Sequence, residues 1–196
     1  MGLLYQKYRD GIIALGLALG IGMGGYITLD NYPTRRDRRN EVVRKSLDII
    51  IDSSLSKKDI ERVKSVVHDV VDKYNETFKI KYDVRFRFRQ FRSNLNKNNI
   101  VSGDNQVHES VYFVSGDVPD QDNWLGFTDY RHNSIIIDTV HHQCTDQLYT
   151  VLAHELGHIN GYFGHQNDAG CIMGSRTGCE RKRFCPTTIE TILTKK

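Results

Sequence analysis

The stretch VLAHELGHINGYFGHQNDAGCIMGS, Val151 to Ser175, carries two histidines four residues apart, His154 and His158, with Glu155 beside the first. If "DQLYTVLAHELGHIN" is a helix capped at Thr145 and stopped at Gly161, both imidazoles lie on one face, one turn apart, and can point at a single metal ion. Glu155 would then reach a water molecule beside that ion. Zinc takes neutral imidazole nitrogens at about 2.0–2.1 Å, keeps a position open for water and acidifies it. A neighbouring carboxylate can take the proton and pass it on. The same short pattern also arises on ordinary helices whose histidines are only surface residues, so its surroundings decide.

Those surroundings carry three further features. Gly161 lies three residues after His158, where a helix must end and the chain turn sharply, and glycine takes the left-handed conformation at no steric cost. The turn can bring His165 back beneath the metal. Farther on, Cys171-Ile172-Met173-Gly174 places a methionine at a tight turn. Cys144, Cys171, Cys179 and Cys185 all fall in the last third of the chain, an even number that suits two disulfides or a metal site, with three pairings open.

HELGHINGYFGH followed by CIM resembles the metzincin clan of zinc endopeptidases, whose signature is HExxHxxGxx(H/D) with a later Met-turn. The resemblance spans about residues 110 to 185 in order of elements and 154 to 174 in motif detail. It implies His154, His158 and His165 as ligands of one catalytic Zn2+, Glu155 as general base and acid, Gly161 as the turn residue and Met173 as the floor beneath the metal. Within the clan the chain looks most like archaemetzincins, through Cys171-Ile172-Met173 and Phe184-Cys185. At the clan's usual spacing the third ligand would fall on Gly164, which cannot ligate; one extra residue in a glycine-flanked loop leaves His165 in that role, with Asp168 in reserve. Archaemetzincins hold a second zinc with four cysteines, but two of those positions are here Gln166 and Thr188. A second, structural zinc is therefore not expected, and disulfides among Cys144, Cys171, Cys179 and Cys185 are.

Outward from this motif, 196 residues with 39% hydrophobic content suffice for one core plus an appendage. Residues 11–29, GIIALGLALGIGMGGYITL, carry no charge over 19 positions, enough for a helix to span a bilayer core of about 30 Å. An uncleaved anchor is the first reading, a cleaved signal peptide the second and a buried core helix the third. Gly16, Gly20 and Gly24 form a small-residue face that would let two such helices approach closely, though glycine is simply common in membrane helices. Arg35, Arg36, Arg38 and Arg39 after the segment argue for a cytoplasmic domain. The cysteines argue for the oxidising side, and an extracytoplasmic domain, or a secreted one if residues 1–29 are removed, is the expectation. The chain thus divides into an anchor or signal segment (1–30), a polar linker (31–40) and a zinc metalloprotease domain (41–196).

Within that domain, EVVRKSLDIII reads as a helix and Ser56 with Asp59 as the start of a second, with Ile60, Val63, Val67, Val70, Val71, Tyr74 and Phe78 in one stripe. IKYDVRFRFR alternates as a half-buried strand with a basic outer face. SNLNKNNIVSGDNQ (93–106) is a long polar loop, SVYFVSG and NSIIIDTV are strands, and DVPDQDNWLGFTDYRHN between them is turn-rich with the lone Trp124. PTTIETIL closes the chain as a short helix. The fold class is α+β: a mixed sheet of four or five strands, an active-site helix, and a small irregular C-terminal lobe.

The other histidines read as ordinary: adjacent His141 and His142 point to opposite sides of a strand end, and His68, His108 and His132 lack ligand spacing. Glu180 would be a downstream carboxylate ligand as in gluzincins, but no helical pattern surrounds it. Three functions follow. The first is a zinc endopeptidase acting on peptide or protein substrates, with NSIIID at the cleft edge pairing an extended chain. The second is a catalytically inactive, membrane-anchored binding protein of the same fold. The third is a nucleic-acid binder using the Arg85 to Arg92 strand, but the net charge of +3 is mild and nucleic acid is not the expected partner. Oligomeric state is not legible.

Overall fold

The computed structural model describes residues 41–91, 108–116, 125–142, 144–175, 178–180 and 182–195. The apolar segment 11–29, the linker 31–40, the polar loop 93–106 and Trp124 lie outside the described residues, among which no helix is long and apolar enough to cross a membrane.

The segment read as a first helix is strand β1, Val43–Asp52. Leu47, Ile49 and Ile51 face one side of the sheet and Asp48, Ile50 and Asp52 the other, and all six are buried. A central parallel strand buried on both faces loses the period-two alternation that marks a half-exposed strand, which is why its apolar run mimics helical spacing. Helix α1, Lys57–Phe78, follows as expected, capped by the Ser56 hydroxyl, which accepts from Asp59 N at 3.1 Å. Its stripe from Val63 to Phe78 is buried, while Ile60 packs at the margin. Each such valine or phenylalanine contributes roughly 1.5–3 kcal/mol by leaving water. Lys79, left-handed at φ 56°, ends the helix and turns the chain into β2, Ile80–Arg89. There Ile80 and Tyr82 are buried, and the outward Arg85 and Arg87 flank the buried Asp48 carboxylate at 2.9 and 3.5 Å.

The remaining strands are β3, Glu109–Val114, β4, Gly126–Asp129, and β5, Ser134–Asp138. The sheet order is β2-β1-β3-β5-β4, parallel except for the antiparallel β4–β5 pair, with Phe127 opposite Ile136. Two expectations change here. The turn-rich stretch contains a strand, and NSIIID is not the edge: Ile135, Ile136 and Ile137 are fully buried between β3 and β4. An apolar run suits an interior strand, whereas Gly-Phe-Thr-Asp, short and half-buried, suits an edge.

Helix α2, Thr145–Ile159, crosses the core face of the sheet beside α1; the buried Tyr74 hydroxyl donates to Ala153 O at 2.7 Å, one residue before His154. Its cap is Cys144 rather than Thr145, and no side-chain cap bond forms because the sulfur is committed to Cys179. Helix α3, Pro186–Lys195, begins with proline, whose missing N–H costs nothing in a first turn. The second disulfide, Cys171–Cys185, joins the segment before Met173 to the residue before α3, so the expected disulfides form and leave no free thiol.

Candidate metal centre

His154 and His158 are held one at a time by backbone carbonyls. His154 Nδ1 is 2.8 Å from Ile172 O and His158 Nδ1 is 2.6 Å from Tyr162 O. A carbonyl oxygen only accepts, so each Nδ1 carries the proton and each Nε2 keeps a bare lone pair. These two Nε2 atoms face each other at 3.0 Å. Two lone pairs that close repel unless a cation lies against both, so the donor set fits a metal ion. Burial, together with the neighbouring imidazoles and Lys182, lowers the pKa of His154 to about 4; burial and His165 lower that of His158. Both are thus neutral at physiological pH, the form that ligates.

Gly161 takes φ 98°, the left-handed turn expected of it, and the chain reverses there. Tyr162 N returns to Gly157 O at 3.0 Å, and three residues later the His165 ring stacks on His154 at 5.1 Å and meets His158 edge-on at 5.2 Å. The donor atoms of the three histidines lie within 4.8 Å of one another, and no other residue joins them among the described ones. Gly164 is a loop residue, where a Cβ would meet Tyr162 Cε1 at an ordinary 3.9 Å. Asp168 closes a turn instead, accepting from Gly170 N at 2.8 Å, and Glu180 meets α2 through its backbone carbonyl, which accepts from the Thr150 hydroxyl at 3.4 Å. His141 reaches Asp138 at 2.5 Å, away from the cluster. Three imidazole nitrogens with an open side suit zinc.

Met173 is fully buried beneath α2, in contact distance of the space above Gly157. The turn Cys171–Gly174, closed by Gly174 N to Cys171 O at 2.9 Å, thus supplies both the carbonyl that orients His154 and the side chain under the helix. At the helix end Asn160 donates to Leu156 O and Tyr82 OH, both at 2.7 Å, and accepts from Lys45, which pairs with Glu109 at 2.5 Å. This network ties the last turn of α2 to β1, β2 and β3.

Glu155 lies on the neighbouring face of α2 in a cleft of about 580 Å³ lined by Leu125, Thr128, Tyr130, His158, Phe163 and Ser175 among others. Burial raises its pKa to about 7, although the Thr128 hydroxyl, donating to Oε2 at 2.6 Å, opposes the shift. A carboxyl poised near neutrality can both take and return a proton. Thr128 reaches it because Gly126 lets β4 lie against α2: a Cβ there would stand 2.7 Å from Val151 Cγ1 and 3.5 Å from Glu155 Cγ. The sequence carried no motif for Thr128 or Tyr130. Only the Gly-Phe-Thr-Asp alternation, hidden in a turn-rich stretch, marked a strand there.

No family model and no curated protein sequence matches the chain. Its fold does match solved structures. Archaemetzincin from Methanopyrus kandleri superposes with a TM-score of 0.62 at 15% identity, covering 78% of this chain and 95% of that one. Metalloproteinase-II from Bacteroides fragilis gives 0.58 at 14% identity, covering 79% of this chain and 53% of that longer one. Archaemetzincin from Archaeoglobus fulgidus, complexed with malonate, gives 0.55 at 12% identity, covering 74% and 99%. The domain therefore has the archaemetzincin fold, as the metzincin resemblance implied. Three histidines able to hold a metal ion stand together within it.

Proposed function

We propose that the chain is a zinc-dependent endopeptidase. The observation that carries this reading is the convergence of His154, His158 and His165 beside a buried carboxyl, Glu155, in an open cleft. The three imidazoles would hold the ion, and zinc so held supplies Lewis acidity to a carbonyl and to water. Thr128 occupies Oε2 of Glu155, which leaves Oε1 free to accept the proton of the attacking water. The same carboxyl, now protonated, gives the proton to the leaving amine.

The substrate chain pairs with β4. Among the described residues it is the edge strand beside the cleft, and its outward side can take an extended peptide as one more strand, with Tyr130 and Phe163 flanking it. Two disulfides favour the oxidising side of a membrane as the place of action, with residues 11–29 as tether or signal.

The test is zinc content and peptide turnover of the purified chain, with Glu155→Gln alongside. The glutamine keeps the shape and removes the proton acceptor, so turnover falls by roughly 10²–10⁴-fold while zinc stays bound. A protein without zinc, or one that cleaves as well with glutamine, refutes the proposal.

A further inference from the structure

The three histidines are not held alike. His154 and His158 each give an Nδ1 proton to a carbonyl, but the His165 ring makes no hydrogen bond among the described residues and is exposed. Metal-binding histidines are usually aimed by a partner on the other ring nitrogen. His165 instead takes its aim from the backbone of the loop that carries it, and that loop is gripped at both ends by α3. At the near end Lys195 Nζ donates to Gly161 O at 2.5 Å, and its stem lies so close that a Cβ on Gly161 would meet Lys195 Cδ at 2.7 Å. The same ammonium sits 4.3 Å from the centroid of the Phe163 ring. Phe163 in turn packs on Tyr130 at 5.5 Å, and Tyr130 stands 6.3 Å from His158. At the far end the Gln166 side chain donates to Thr187 Oγ1 at 2.7 Å, in the first turn of α3, while Gln166 N donates to Met173 O at 2.7 Å.

We infer that Lys195 is a positioning residue for the third ligand. It fixes the carbonyl of the turn glycine and the ring of Phe163, and so holds His165 toward His154 and His158. This rests on the three-histidine reading of the metal centre. A charge-assisted hydrogen bond and a cation over an aromatic face both restrain the same five-residue stretch, Gly161 to His165, and neither is replaced by the loop's own contacts.

The test uses the full chain and needs no substrate. Zinc affinity is measured by competition with a chromophoric chelator, and the cobalt-loaded protein is examined by its visible absorption. Lys195→Met, which keeps the stem but not the donor, weakens zinc by roughly 10–100-fold and alters the cobalt spectrum toward that of His165→Ala. Lys195→Arg keeps donors and a cation over the ring and stays within about threefold. Unfolding of the metal-free proteins is followed in parallel. If Lys195→Met lowers it substantially, Phe163→Leu, which removes the ring beneath the ammonium, takes its place, and the same direction of change is expected. Wild-type zinc affinity retained in Lys195→Met, or in its substitute, overturns the inference. A wild-type chain whose zinc affinity is indifferent to His165→Ala overturns the metal-centre reading itself.

Discussion

Met173 fills the space that a side chain at position 157 would occupy: a Cβ built on Gly157 would lie 2.5 Å from Met173 Sδ and 3.2 Å from its Cε. The glycine inside HELGH is therefore the point at which the histidine-bearing helix is lowered onto the methionine turn. Alanine is the better helix former by about 1 kcal/mol, so an exposed Gly→Ala change would stabilise. Here overpacking wins, and Gly157→Ala is expected to cost roughly 1–3 kcal/mol in denaturant unfolding. An unchanged or raised midpoint would mean that Met173 is free to move aside.

Thr128 is the counterpart of Glu155 from across the cleft. Its hydroxyl stabilises the ionised carboxylate, so Thr128→Val, nearly the same shape without the donor, pushes the carboxyl further up from about 7. The acidic limb of the kcat/KM profile then moves to higher pH, by about one to two units given that a hydrogen bond to a charge is worth about 1.5–3 kcal/mol. A profile that stays in place separates Glu155 ionisation from that limb.

His142 gives the fold a pH dependence of its own. It is 5% exposed, and neither ring nitrogen has a hydrogen-bond partner among the described residues. Burial lowers its pKa from 6.5 to about 4; Asp138 opposes the shift and Arg62 adds to it. Between those values the unfolded chain binds the proton that the folded one refuses, so stability rises with pH there. It is fully present above pH 6.5 and is lost as pH falls toward 4, by about 3 kcal/mol in all. His154, lowered by similar causes, contributes over the same window in metal-free protein. The comparison of wild type with His142→Leu therefore isolates the one residue: urea midpoints at pH 7 and pH 5 should lie closer together in the variant. Equal pH sensitivity in both proteins would show that His142 is protonated in the fold.

What could be read in the chain follows from how locally each feature is written. The histidine-bearing helix, the turn at Gly161 and the buried stripe of α1 are encoded by neighbours three or four residues apart, and they stand where the spacing put them. Strand β1 reads as a helix in sequence because burial on both faces erases the alternation that betrays a strand. The edge beside the cleft, β4, leaves little mark in the sequence because it is only four residues long and half-buried, while the apolar Ile135–Ile137 run is written for an interior place. Thr128 and Lys195 act on the site from 27 and 34 residues away in sequence, through contacts that only the packing of β4 and α3 creates. Neither belongs to any local pattern, and both became visible only with the chain folded.

The central claim is that three imidazoles, not two, hold one zinc ion. X-ray absorption at the zinc edge, on the chain loaded with one equivalent of zinc, tests it most directly. The expected spectrum shows about three imidazole nitrogens at roughly 2.0–2.1 Å with no sulfur, and about two after His165→Ala. Two imidazoles in the wild-type protein, or a sulfur ligand near 2.3 Å, would contradict the account.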